Sequence, residues 1–146
     1  MAETFDVTTD RAPSAAGHYV QGKLVGRTLH VSGQLPIRPD RSPLADDGFA
    51  TQAGQALDNL LAIVAAAGGT PADLVRVTAY IVGVGNWPIF NEVYAAKLGE
   101  ARPARTVVPV PELHYGYLVE VDAIAHIGSA RSAATRRAAP RSTARR

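Results

Sequence analysis

The order in which helical and strand-like periodicities alternate along this chain constrains its fold more than any other feature. Two stretches carry apolar residues at helical spacing. The first runs from about Phe49 to Ala67, with Ala53, Leu57, Leu60, Leu61 and Val64 in one stripe and Gly68-Gly69 as its stop. The second runs from about Pro88 to Leu98, with Asn86 as its cap and Ile89, Phe90, Val93, Tyr94 and Leu98 available to a buried face. Around them the sequence alternates with period two. Short strands joined by tight turns are predicted across Gly17–Ser32, a long one over Val75–Val82, and a final pair over Ala104–Val110 and Leu118–Ala125. Pro36–Asp47 reads as a loop, and Thr70-Pro71-Ala72-Asp73 as one helical turn. Two helices can cover only one face of such a sheet. The expected fold is therefore α+β in two layers, one mixed β-sheet with both helices on one face.

The uncovered face is where chemistry is expected. Arg76, Thr78 and Tyr80 alternate with the apolar positions Val75, Val77, Ala79 and Ile81. The same alternation predicts that His30, Ser32, Arg105, Glu120 and Asp122 share their face. A face of this kind is either wet or buried against another subunit, which argues for a homo-oligomer. Arg105 and Glu120 stand out within it, because a guanidinium and a carboxylate are costly to desolvate unless paired or used. The planar fork of Arg105 suits a small carboxylate ligand, and a neighbouring Glu120 could then move a proton. A cross-strand ion pair is the competing reading, contributing up to about 1 kcal/mol in an exposed sheet. Asp122 is read as a structural partner of Arg76.

Composition excludes several classes. The 146 residues include no cysteine, which removes disulfides, thiolate nucleophiles and zinc–thiolate sites. No apolar run is long enough for a bilayer, and Met1–Asp6 is acidic and lacks the layout of a signal peptide, so a cytoplasmic location is expected. Six of the 15 basic residues are arginines in 129–146, a segment without acids or large apolar side chains. The body is thus mildly acidic. Residues 1–128 are expected to form a single domain with an irregular lead-in over 1–16, and 129–146 a disordered basic tail. The four histidines lack ligand spacing, so no metal is expected. His114 reads as a loop residue that could also reach a cleft. Gly83-Val84-Gly85 has Pro88 where a dinucleotide loop needs its third glycine. Ser32 lacks the Gly-x-Ser-x-Gly elbow of a nucleophile.

Seven motifs, in order, give the chain a resemblance. They are Gly17-His18-Tyr19-Val20-Gln21-Gly22, Val31-Ser32-Gly33-Gln34-Leu35-Pro36, Gln55-Ala56-Leu57-Asp58-Asn59-Leu60, Val77-Thr78-Ala79-Tyr80, Phe90-Asn91-Glu92-Val93-Tyr94, Arg102-Pro103-Ala104-Arg105 and Val119-Glu120-Val121-Asp122-Ala123-Ile124-Ala125. Over roughly residues 15 to 127 the chain resembles the RidA (YjgF-type) reactive-intermediate deaminases. The resemblance implies a chorismate-mutase-like fold, assembled as a homotrimer with sheets inward and active sites in clefts between subunits. It implies hydrolysis of 2-imino acids and their enamine tautomers to 2-keto acids and ammonia, without a cofactor. By the same resemblance Arg105 binds the substrate carboxylate and Glu120 positions or activates water. Tyr19, Ser32, Gly33 and Asn91 line the pocket, and Val107, where cysteine is frequent, contributes only backbone. His18 departs from the family's proline, and the loop Pro109–Tyr117 is unusually rich in proline and aromatics. Two other functions remain open at this point: an RNA-binding or RNA-cleaving protein using the basic tail, and a sensor that binds small carboxylates without turning them over. Nucleic acid ranks below small 2-imino or 2-keto carboxylates as partner, since the tail lacks interleaved aromatics.

Overall fold

In a computed structural model, the structure describes residues 1–128 and the backbone of 136–138. Strands β1 (Thr4–Val7), β2 (Gly22–Val25) and β3 (Thr28–Gln34) lead into helix α1 (Phe49–Ala66). Strand β4 (Leu74–Val82) is followed by α2 (Trp87–Leu98), β5 (Ala104–Val110), β6 (Val119–His126) and β7 (Arg136–Ala138). All strands join one sheet in the order β5-β4-β6-β3-β2-β1-β7. The β4–β5 pair is parallel and the others antiparallel, so β3–α1–β4 and β4–α2–β5 are two crossovers with β6 inserted between β3 and β4. The sheet is mixed and carries both helices on one face, as the periodicity predicts.

One core lies between sheet and helices. Val7, Leu24, Leu29, Val77, Ala79, Ile81, Val119, Val121 and Ala125 are fully buried, and meet Ala53, Ala56, Leu57, Leu60, Ile63 and Val64 of α1. Helix α1 ends on Gly68, in the left-handed region at φ 87°, while Gly69 donates its N–H to the Val64 carbonyl at 2.9 Å. The single turn Pro71–Asp73 forms as expected, with Asp73 Oδ2 accepting from the Thr70 N–H at 2.8 Å.

The structure departs from the expected elements at five places. The lead-in is not wholly irregular: Thr4–Val7 is a strand, registered Phe5↔Leu24 and Val7↔Gly22. Four alternating residues without a turn signal are too short a pattern to declare it. Gly17–Gln21 is not a strand, and turns back instead to deliver Tyr19 and Gln21. Val75 is half-exposed and Leu74 takes its place inside, because β4 shifts register against β6 between Leu74 and Arg76. Asn86 does not cap α2 with its side chain, which donates to the Val82 carbonyl at 2.9 Å, and Ile89 is exposed. Within the tail expected to lack structure, Arg136–Ala138 pairs antiparallel with β1; the rest of 129–146 lies outside the described residues.

Candidate functional site

The site is built on a bulge. Between Val31 and Gln34 strand β3 gains one residue relative to β6, where Val31 faces Ala123 and Gln34 faces Val121. Val31 and Gln34 stay buried, so both Ser32 and Gly33 turn to the uncovered face. There Gly33 lies against Glu120 of β6, whose Cδ would stand 3.3 Å from a β-carbon at Gly33 and whose Oε1 would overlap it. Only a residue without Cβ permits that approach. Ser32 donates its hydroxyl to the Val20 carbonyl at 2.6 Å and its N–H to the Gln21 carbonyl, which fastens the Tyr19 segment beside the bulge. The hydroxyl is engaged as a structural donor.

These groups enclose a cavity of about 390 Å³ lined by Tyr19, Ser32, Gly33, Leu35, His114 and Glu120. Tyr19 is 51% exposed at the rim, its hydroxyl accepting from the Ala16 N–H at 3.4 Å. Burial lifts the Glu120 carboxyl above its ordinary value of 4.5; the Asp122 charge raises it further and His114 opposes both. Asp122 is raised as well, by burial first, with Arg76 acting against it. Arg76 makes no ion pair with Asp122 and donates instead to Thr106 Oγ1 at 2.6 Å. That expected partnership is replaced by a weaker, longer-range attraction.

Arg105 is elsewhere. In the parallel register Val77 faces Arg105 and Ala79 faces Val107, so Arg105 and Val107 point to the helix-covered side. The guanidinium carbon of Arg105 lies 5.0 Å from the ring centroid of Tyr94 and 5.8 Å from that of Phe90, both on α2. Glu120, by contrast, faces Tyr80 on the uncovered side. The expected common face for Arg105 and Glu120 is thereby overturned, and so is an ion pair between them. The reason is local: β5 carries valine at both 107 and 108, so its own alternation does not say which parity faces the core. Asn91 is exposed on α2, one turn before Tyr94 and outside the Glu120 cavity. The named site residues fall into two separate groups, one of Tyr19, Ser32, Gly33 and Glu120, the other of Asn91 on α2 with Arg105 and Val107 on β5.

Three buried amides escape a reading of the sequence. Gln21 donates to the carbonyls of Thr9, Ala12 and Pro13 at 3.0, 3.2 and 2.9 Å while accepting from the Thr9 N–H at 2.7 Å. Asn59 and Gln52 of α1 hold the carbonyls of Leu35 and Ile37, and of Ala45 and Asp47. Amides inside an apolar stripe are the available signal, since buried amides must find partners. Among the described residues no cluster of His, Asp or Glu could hold a metal ion, and no helix is long and apolar enough to cross a membrane.

The fold and its bulged cavity define a two-layer α+β protein of the chorismate-mutase-like kind, and comparison with known proteins places it more closely. The family model described as Endoribonuclease L-PSP matches residues 9–127. The 2-iminobutanoate/2-iminopropanoate deaminase of Escherichia coli K12 is 38% identical over 122 residues, covering 82% of this chain and 94% of that protein. The structure of RidA from Psychrobacter sp. PAMC 21119 superposes with a TM-score of 0.78 at 40% identity, covering 83% and 98% of the two chains. E. coli TdcF with bound serine gives 0.80 at 34% identity, covering 84% and 98%. The chain belongs to this family, the RidA (YjgF-type) proteins.

Proposed function

We propose that this protein hydrolyses reactive 2-imino acids to 2-keto acids and ammonia, without a cofactor, at sites completed by a second copy of the chain. The observation that carries the reading is the lifted Glu120 carboxyl in a cavity that also holds Tyr19, Gly33 and His114. The deaminase names of relatives near 37% identity support it. Water adds to the imine carbon most readily when the nitrogen is protonated, and the tetrahedral adduct then expels ammonia to leave the keto group. Enamine tautomers first need a proton at carbon. A carboxyl whose protonated form is favoured by burial, reaching substrate directly or through one water, serves both steps. Tyr19 closes one side of the planar imine.

Arg105 supplies the anchor from a neighbouring copy. Its fork binds the substrate carboxylate bidentately and fixes the imine carbon near Glu120, converting an encounter into an oriented complex. Placement of the two groups on opposite sides of one sheet supports a shared cleft, as does the half-exposed polar face that no element among the described residues covers. A homotrimer with sheets inward satisfies both. The test is keto acid and ammonia release from 2-iminopropanoate with and without protein. Arg105→Ala is expected to abolish the acceleration, and an unchanged rate in that variant overturns the mechanism.

A second reading rests on the family's description as an endoribonuclease. Cleavage of RNA that survives removal of residues 129–146 but not Glu120→Gln would favour it over deamination.

A further inference from the structure

A second cavity, of about 470 Å³, opens behind the first and shares Tyr19, Gly33, Leu35 and His114 with it. It extends away from Glu120, between the lead-in loop, the segment after β3 and the loop before β6. Its remaining walls are largely apolar or aromatic, including Pro13, Ile37, Pro43, Ala45, Tyr115 and Tyr117. The His114 and Tyr115 rings lie 3.6 Å apart between centroids, and Tyr115 meets Tyr117 edge-on at 6.3 Å. We infer that this cavity receives the side chain of the substrate, and that the preferred substrates are 2-imino acids with a bulky aromatic side chain, ahead of 2-iminopropanoate. The inference rests on the deaminase reading for the position of the reacting carbon.

Three observations carry it. The size is that of a pocket for a whole small molecule, far beyond what a methyl group fills. Aromatic rings on one wall offer stacked and edge-on geometries to a planar guest. The walls are also firmly held. Among the described residues the non-glycine residues in the left-handed region are Arg41, at φ 63°, and Tyr115, at φ 61°, and both line this one cavity. Such residues persist only where their surroundings fix them, and they cluster at ligand clamps. Arg41 is fixed by donating to the Ser14 carbonyl, tying the post-β3 loop to the lead-in, and Gln21 pins the lead-in from beneath.

The geometry orders the ligand from end to end. Its carboxylate meets Arg105 of a neighbouring copy, the imine carbon lies at Glu120, and the side chain passes Gly33 and Leu35 into the aromatic chamber.

The stable keto-acid products serve as probes for calorimetric titration of the intact protein. Phenylpyruvate is expected to bind at least tenfold more tightly than pyruvate. Ala45→Phe or Ala16→Trp, each at a residue lining the cavity, is expected to bring that ratio near one. Equal affinities in the unsubstituted protein overturn the inference, as does a ratio that survives both substitutions in variants whose melting shows them folded. Turnover of 2-iminopropanoate and of the phenylalanine-derived imine, each generated by an amino-acid oxidase, separates the two readings. Acceleration of the small imine alone overturns the aromatic preference. Acceleration of neither, with phenylpyruvate still bound selectively, overturns deamination and supports the chamber.

Discussion

Glu120 and Gly33 behave as one unit. A β-carbon at Gly33 would occupy the space of the Glu120 carboxyl, so Gly33→Ala is expected to displace that group by about an ångström, a shift that can cost on the order of 10²-fold in rate. Steady-state deamination of 2-iminopropanoate measures it, and a rate within twofold of the parent refutes the close-approach argument. The titration of Glu120 gives an independent check. Burial, then Asp122, lifts its carboxyl, while His114 works in the other direction. The folded chain therefore keeps this proton over a pH range where the unfolded chain has released it. Stability falls as pH rises from the unfolded value, near 4.5, through the folded one. Glu120→Gln removes that penalty. Its melting temperature should exceed the parent's above this window, and the gain should vanish below about pH 4, where both forms are neutral. An offset that does not change with pH would contradict the assignment.

At the scale of elements, the loops around the cavities depend on amides buried in or beneath α1 and β2. Truncating Gln21 to alanine leaves several carbonyls and an N–H of the lead-in without partners, which is expected to cost roughly 1–3 kcal/mol. Chemical denaturation reads the loss. Hydrogen exchange should localise it to residues 9–16 rather than to the sheet. These amides also show where the sequence is legible and where it is not. Helices α1 and α2, the long strand β4 and the final pair β5 and β6 are readable because their periodicities run for many residues. The capping box at Thr70 and Asp73 is equally plain. The bulges are not: each inserts a single residue, at Gly33 and at Val75, and neither Ser32-Gly33 nor Leu74-Val75 departs from an ordinary strand pattern. Arg105 is assigned to the wrong face because Val107 and Val108 make β5 symmetric to inspection, and parity between strands is set by register, which only the folded sheet displays. The family motifs pick out these residues without saying that they form two groups.

For the whole molecule, the proposed mechanism makes a specific demand on assembly, because Arg105 and Glu120 lie on opposite sides of one sheet. Two variants, Arg105→Ala and Glu120→Gln, should each be inactive alone. When they are denatured together and refolded as a mixture, interfaces that join the intact Glu120 of one to the intact Arg105 of the other should restore activity. Random mixing gives about a quarter of the parent rate per chain. No recovery, in mixtures shown by mass spectrometry to contain both variants, would place the complete site within one chain. Size-exclusion chromatography with light scattering then asks for three copies.

The placement of Arg105, over the rings of Phe90 and Tyr94 and out of reach of its own Glu120, carries a consequence for how such a protein behaves in a cell. On the proposed mechanism an isolated chain is chemically mute, however well folded. Turnover per chain should accordingly drop on dilution below the dissociation constant of the assembly, and recover on concentration. Control over abundance would then act as a threshold rather than a simple dial.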